Sequence, residues 1–243
     1  MALGLDFLSL ITVGSVLVFV FVGVRLGWYL IISNSLTRHI KPFEQLHPLN
    51  APRILYIGDS TGYGTGATHP SKTVPGRIGA DFKDAYIENW SRGGLKFHQL
   101  TRMLIKAPAP AIPYDLVVLA LGGMDIVHAT PLKRMERNLE EALRLVKQIG
   151  KRVLYVGPIN PAHIPLFHFP FTRFYNKRST VWQSHLVRAC ANQNVSYISL
   201  YCAQNDPVTE GGHIAPDKTH PSDEGYALWY EQIRPHIHAL LAL

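Results

Sequence analysis

The chain has 243 residues, of which 47% are hydrophobic and 17% are charged, and its formal net charge is +7. This length suits one well-buried domain with a short appendage. Its two cysteines, Cys190 and Cys202, exclude a disulfide framework and leave one optional bridge or two free thiols. The basic charge suits phospholipid head groups, although a basic surface without a dedicated partner is the simpler interpretation. No block of Lys and Arg interleaved with aromatic residues occurs, so we expect no nucleic-acid partner.

The first distinctive segment is apolar. No charged residue occurs between Phe7 and Val24, and a helix of this length spans about 27 Å, close to the ~30 Å of bilayer hydrocarbon. Arg25 then interrupts the run, and apolar residues continue to Ile32. Arg25 is placed to reach the head groups, with the aromatic residues that follow it at the interface.

A signal peptide would carry basic residues before this run and a small-residue cleavage site after it. The leader instead carries Asp6 and neither Lys nor Arg. We therefore predict an N-terminal transmembrane helix that stays on the protein; the alternative is a buried core helix. Basic residues follow the run at Arg25, Arg38 and Lys41. This bias predicts a single-pass protein with its main domain on the cytoplasmic side, residues 1–45 forming the membrane anchor and linker and residues 46–243 the domain.

Within the domain, short apolar runs alternate with helix-like stretches. The candidate strands are 53–58, 85–89, 115–121, 152–157 and 195–201. Several lack polar alternation, as strands covered on both faces do. Between 132 and 150, Leu139, Leu143 and Val146 recur at helical spacing, and Gly150 stands where a C-terminal cap belongs. The pattern predicts an α/β fold in which a parallel sheet has helices on both faces.

Chemically versatile residues follow these strands. Sites in parallel α/β sheets form beyond the carboxyl ends of the strands. The first strand leads into Gly58–Ser60, the third into Gly122–Asp125, and the segment Asp217–His220 lies beyond the fifth. Together these segments provide the serine, histidine and carboxylate that a hydroxyl nucleophile needs. Each also has an ordinary alternative, since Ser60 is in a position typical of a helix N-cap and His220 could end a loop before the last helix.

These segments resemble the motifs of the GDSL, or SGNH, hydrolases, a family of esterases, lipases and carbohydrate deacetylases. "GDS" at 58–60 resembles the nucleophile block, "NWSRGG" at 89–94 the glycine block, and "DKTH" at 217–220 the Asp-x-x-His block. The resemblance covers roughly residues 52–237. It implies the flavodoxin-like SGNH fold, a three-layer α/β/α sandwich with a five-stranded parallel sheet, and it implies no metal or cofactor.

The resemblance also implies a role for each site residue. Ser60 would attack an acyl carbonyl, His220 would be its general base, and Asp217 would hold the imidazole. The backbone N–H groups of Ser60 and Gly94 would donate to the oxyanion.

One block departs from the family pattern. The third block reads Gly-x-Asn-Asp in the family and "GGMD" here, so Met124 stands where the asparagine donor of the oxyanion hole is expected. A thioether cannot donate a hydrogen bond. Three alternatives follow: another donor such as Asn160 compensates, the enzyme is slow, or the protein no longer catalyses.

An aromatic segment after the fourth strand completes the expected site. Its phenylalanines are Phe167, Phe169, Phe171 and Phe174. They would form an apolar wall for acyl chains or a patch that meets the membrane, unless they only cover the core. With the anchor, this predicts a membrane-anchored serine esterase that acts on acyl esters, lipid-like or acetylated, with the lipid bilayer as partner. The alternatives are a silent SGNH-like binding module and an acyltransferase that uses the same three residues.

Overall fold

The computed structural model describes residues 7–46, 51–168 and 170–242. Within them, one parallel sheet has five strands: β1 (Arg53–Gly58), β2 (Tyr86–Asn89), β3 (Leu116–Ala120), β4 (Val153–Gly157) and β5 (Ser196–Ser199). Their order across the sheet is β2-β1-β3-β4-β5, so β1 and β3 lie side by side near its middle. Each strand falls inside a segment predicted to be one.

The same described ranges hold nine α-helices: α1 (Phe7–Arg38), α2 (Ser60–Tyr63), α3 (Val74–Asp81), α4 (Phe97–Lys106), α5 (Gly123–Val127), α6 (Leu132–Ile149), α7 (Thr172–Asn192), α8 (Pro207–Glu210) and α9 (Asp223–Leu241). Side chains from α4, α6 and α7 share one core with one face of the sheet. Side chains from α3 and α9 share a second core with the other face. This three-layer α/β/α arrangement confirms the predicted fold class.

Strand β1 shows why the apolar runs form central strands. Leu55 and Ile57 point into the core beneath α4, α6 and α7, whereas Ile54 and Tyr56 point into the core beneath α3 and α9. Because successive side chains alternate between faces, a strand covered on both sides must be apolar throughout. Full burial of each such side chain stabilises the fold by roughly 1.5–3 kcal/mol. The burial fixes β1 in the sheet and sets the position of the segment that follows Gly58.

Gly150 ends α6 as predicted, but not in the left-handed conformation that a glycine cap commonly adopts. Its φ is −131°, which is extended backbone. A Cβ at this position would lie 2.4 Å from Cγ2 of Val117 on β3. The glycine is therefore needed for the close packing of the helix end on the sheet.

Helix α1 continues past Ile32, where the apolar run ends, to Arg38. Within Ser9–Arg38, the most apolar 18-residue window has a mean hydropathy of 2.2, and none of that window is buried. This exposure excludes the buried core helix for the described residues. By length and composition, α1 qualifies as a membrane span, a test that a signal sequence also passes.

The second half of α1 packs on the domain along one side. Its half-buried side chains recur every three or four residues, at Val22, Arg25, Leu26, Tyr29, Ile32, Ser33, Leu36 and Thr37. The Arg25 guanidinium donates to the carbonyl of Pro165 at 2.5 Å. At the other end, the hydroxyls of Thr37 and Thr65 are hydrogen-bonded at 2.9 Å. This half of the helix is therefore part of the packed structure.

The segment after α1 also packs against the domain. Ile40 is buried, and Gln45 forms an antiparallel bridge with Ile87 of β2. The Gln45 side-chain amide donates to the carbonyls of Phe82, Lys83 and Ala85 at 2.9, 3.0 and 2.8 Å. The division of the chain at residue 46 stays a prediction, and these contacts show that residues 40–45 are attached to the sheet edge.

Candidate active site

Ser60 is the first residue of α2, directly beyond the carboxyl end of β1. The N-cap of that helix is Asp59, whose Oδ1 accepts hydrogen bonds from the N–H of Thr61 at 3.0 Å and from its hydroxyl at 2.9 Å. The capping alternative for Ser60 is therefore wrong. Its hydroxyl instead lies 2.7 Å from Nε2 of His220.

His220 is held by Asp217 in the loop before α9. Nδ1 of His220 lies 2.5 Å from Oδ2 of Asp217, and Oδ1 accepts from the N–H groups of Thr219 at 3.1 Å and His220 at 3.0 Å. Burial by itself would raise the pKa of Asp217, but hydrogen bonds from His220 and the two backbone N–H groups prevail and lower it. The carboxylate is therefore ionised at neutral pH and fixes the orientation of the imidazole.

Gly66 lies in the loop after α2 and packs closely against the loop that contains His220. Its φ is +97°, and a Cβ there would lie 2.4 Å from the carbonyl oxygen of Pro221 and 2.9 Å from Cβ of His220. Only glycine suits both the conformation and the space. In addition, the Tyr226 hydroxyl of α9 donates to the carbonyl of Thr65 at 2.7 Å. The loop that follows the helix of Ser60 and the loop that carries His220 are thus packed directly on one another.

The predicted oxyanion residues border one cavity together with Ser60. Gly94 has a φ of +73°, and a Cβ at this position would meet nothing within 4 Å, so it faces open space. Gly94 and Met124 both line the cavity that contains Ser60 and His220. The structure thus brings the predicted residues together, and their oxyanion role stays a prediction.

Asn160 is placed differently. It is fully buried, its Oδ1 accepts from the N–H of Ala162 at 3.1 Å, and its Nδ2 donates to Oδ1 of Asn176 at 2.6 Å. It caps the short 3₁₀ helix Pro161–His163 and ties it to α7. These contacts identify a structural residue and count against Asn160 as the compensating donor.

The aromatic segment is divided by the start of α7. Phe167 lines the cavity. The rings of Phe171 and Phe174 pack on Tyr175, with centroids 6.2 and 5.2 Å away, rather than on the cavity wall. Phe169 lies outside the described residues. Of the phenylalanines predicted to form the wall, Phe167 is the one that lines the cavity among the described residues.

Two other carboxyl groups near the site are buried, and burial raises the pKa of both. Asp59 is the cap of α2, and Oδ2 of Asp125 accepts from the N–H of Phe97 at 3.1 Å. Each of these carboxyl groups accepts a hydrogen bond from a backbone N–H group. In the described part of the chain, no group of three or more His, Cys, Asp or Glu side chains is placed to hold a metal ion.

The cavity has a volume of about 570 Å³, and one of its walls was not predicted. That wall belongs to α1 and consists of Leu26, Tyr29, Leu30, Ser33, Asn34 and Thr37. The sequence holds a weak signal for it, because Ser33, Asn34 and Thr37 are polar residues at helical spacing just after the apolar run. Helix α1 therefore contributes directly to the space in front of Ser60.

Comparisons with known proteins agree with this architecture. No curated protein matches the chain. Among solved structures, a member of the lipolytic protein G-D-S-L family from Veillonella parvula DSM 2008 is similar with 16% identity and a TM-score of 0.63, over 76% of this chain and 97% of that one. TesA is similar with 18% identity and a TM-score of 0.60, over 77% and 99%. The psychrotrophic esterase EstA from Pseudoalteromonas sp., inhibited by monoethylphosphonate, has 17% identity and a TM-score of 0.59, over 79% and 99%.

At these identities the neighbours show the fold alone. The family itself is shown by sequence, because a family model matches residues 56–228, most of the chain. The match supports an acyl hydrolase kind of function and confirms the resemblance drawn from the motifs. The chain belongs to the GDSL-like lipase/acylhydrolase family.

Proposed function

We propose that the protein is a membrane-anchored serine esterase that hydrolyses acyl esters through Ser60, His220 and Asp217. The main support is the continuous chain of hydrogen bonds from Oγ of Ser60 through the imidazole of His220 to the buried carboxylate of Asp217, with distances of 2.7 and 2.5 Å. This is the arrangement that activates a hydroxyl nucleophile: a base within reach of the hydroxyl and an acidic group that orients the base.

In the proposed reaction, Oγ of Ser60 attacks the acyl carbonyl while Nε2 of His220 takes the hydroxyl proton. The carboxylate of Asp217 stabilises the resulting imidazolium. His220 then returns the proton to the leaving alkoxide, which gives an alcohol and an acyl-enzyme. Water repeats the sequence on the acyl-enzyme, releasing a carboxylic acid and restoring Ser60.

The backbone N–H groups of Ser60 and Gly94 are the proposed oxyanion donors. Met124 borders the same cavity and has no donor to add. In other enzymes the loss of one such donor lowers kcat by roughly 10²–10³. We therefore expect a slow esterase. Met124 is also the observation that favours the second candidate, a silent module that binds an acyl ligand.

Labelling with a fluorophosphonate probe tests the proposal, because the probe reacts with an activated serine. We expect one adduct, located on Ser60 by mass spectrometry and absent from Ser60→Ala. Ser71→Ala is the matched control, since the Ser71 hydroxyl also lies 2.8 Å from a histidine nitrogen, Nδ1 of His69, but both residues are exposed. Wild-type protein that takes up no probe, or a Ser60→Ala variant that is labelled normally, would contradict the proposal.

The membrane anchor is proposed on the length, hydropathy and exposure of α1. We expect the full chain to stay in membranes through washing with alkaline carbonate and a variant that lacks residues 1–38 to be released in folded form. A variant that lacks residues 1–45 should melt at a lower temperature, because it also loses Ile40 and the three hydrogen bonds of Gln45. Full-length protein that washes off freely would rule the anchor out.

The basic residues after the apolar run support a domain on the cytoplasmic side.

A further inference from the structure

We propose that the wall contributed by α1 makes the cavity an acyl-chain site that opens towards the bilayer, so that the substrate is a long-chain ester of a membrane lipid. The proposal rests on the proposed function and its membrane anchor, and it adds a substrate class and a route of entry. The acyl chain would lie along α1 with its carbonyl carbon at Ser60.

The position of the cavity along α1 supports this route. Residues 10–21 of the helix are all exposed, whereas half-buried side chains recur from Val22 onward and Arg25 is hydrogen-bonded to the domain. The uncharged run ends at Val24, and Leu26 is the first residue of α1 that lines the cavity. With a rise of about 1.5 Å per residue, Leu26 lies only ~3 Å beyond the end of that run. The cavity therefore begins where the hydrocarbon of the membrane is expected to end.

The two ends of the α1 wall differ in polarity. At the membrane end, Leu26 and Leu30 line the cavity, as do Ile164, Leu166 and Phe167 from the segment that Arg25 contacts through Pro165. At the far end, Ser33, Asn34 and Thr37 line it.

The polar end lies beside the nucleophile. Thr37 is hydrogen-bonded to Thr65, and the N–H of Thr65 donates to the carbonyl of Ser60 at 3.0 Å. An amphiphilic ester fits this gradient in one direction, with its chain towards the membrane and its carbonyl towards Ser60. The wall from Leu26 to Thr37 is roughly 16 Å long, which suits a long chain better than an acetyl group.

The size of the cavity agrees with that choice. Its volume of about 570 Å³ falls within the roughly 300–1,000 Å³ of sites that enclose a drug-sized molecule. Each methylene group that moves from water into such an apolar space should raise kcat/KM by about fourfold. We therefore expect a steep preference for longer acyl chains.

Two neighbouring residues of α1 provide a matched test. Leu30 and Ile31 are isomeric side chains that are 58% and 65% exposed, and Leu30 lines the cavity whereas Ile31 is not among the described residues that do. With full-length protein in phosphatidylcholine vesicles, we compare hydrolysis of p-nitrophenyl laurate and p-nitrophenyl acetate. Leu30→Trp should lower the laurate-to-acetate ratio of kcat/KM by about tenfold or more, as expected from the loss of two or more buried methylenes. Ile31→Trp should keep the wild-type ratio. Equal ratios in the two variants, or a wild-type preference for acetate, would overturn the proposal.

Measurements of fatty-acid binding test the acyl-chain site separately from the esterase activity. In the full-length Ser60→Ala protein, a fluorescent fatty acid should bind. Adding Leu30→Trp should raise the Kd for this fatty acid by about fivefold or more, whereas adding Ile31→Trp should leave the Kd unchanged. Such binding without fluorophosphonate labelling of the wild-type protein would refute the esterase and retain the acyl-chain site. Labelling of Ser60 with no difference between the Leu30 and Ile31 variants would refute the acyl-chain site and retain the esterase.

Discussion

Alanine at Ser60 is expected to lower kcat for a p-nitrophenyl ester by roughly 10⁴–10⁶, which is the cost of removing the nucleophile from an interacting set of this kind. The melting temperature should hardly change, because the described contact of the hydroxyl is with His220 and the cap of α2 is Asp59. Because the three residues act as a unit, a Ser60→Ala/His220→Ala double variant should be no slower than either single variant. The measurement is steady-state hydrolysis together with thermal unfolding of each variant. Undiminished activity in Ser60→Ala would rule out the assignment.

Asp217→Asn tests the third member of the set. We expect kcat to fall by about 10³–10⁴, since an amide neither holds the imidazole in the required tautomer nor stabilises the imidazolium. Asp206→Asn is the matched control. Asp206 is also buried and also accepts two backbone N–H groups, those of Val208 and Thr209, at the start of α8. If both variants lost activity equally, the effect of Asp217 would be structural.

Asparagine at Met124 is expected to raise kcat with little change in KM. The new side-chain N–H would stand where the family pattern has its third oxyanion donor, and it would act mainly in the transition state. One recovered donor is worth up to about 2.7–4 kcal/mol, and imperfect placement should return less, so we expect a gain of roughly 10–100-fold. Met124 is half-buried at the cavity in the short helix α5, where a polar side chain has access to the open space.

Met124→Leu is the control for this change, because it keeps the volume and apolar character without a donor. It should leave kcat near the wild-type value. Both rate constants and the melting temperature should be measured for the two variants. A stable Met124→Asn protein with no faster turnover would mean that another group already fills the oxyanion hole or that the chemistry is absent.

The inner strands β1, β3 and β4 were predictable because they are buried on both faces of the sheet. Burial of Ile54 to Ile57 on both sides demands an apolar run, and such a run is visible in the sequence. The meeting of Ser60 with Asp217 and His220 followed from the family motifs and from the rule that sites form at the carboxyl edge of parallel strands. Their hydrogen bonds are observed in the structure, whereas their catalytic role stays a prediction.

The contact between α1 and the domain was not predictable in the same way. An apolar helix has the same composition whether lipid or protein surrounds it, so the run from Phe7 to Ile32 does not say which side packs. The domain side of the contact depends on a loop carbonyl at Pro165 and on Thr65, and neither forms a sequence pattern. Likewise, the phenylalanine-rich segment does not reveal that α7 begins at Thr172 and directs Phe171 and Phe174 to Tyr175.

The attachment of α1 and of the segment after it has a further consequence for how the protein would meet its substrate. In α1, Arg25 contacts Pro165 and Thr37 contacts Thr65, and after the helix Gln45 is fixed to the edge of β2. The helix is therefore attached to the domain directly rather than through a long flexible linker. With α1 in a bilayer, the cavity would keep one height above one membrane. Substrate would then arrive by lateral diffusion in that membrane, and turnover would depend on the mole fraction of the ester among its lipids rather than on its bulk concentration. Esters in a second, apposed membrane would lie beyond reach.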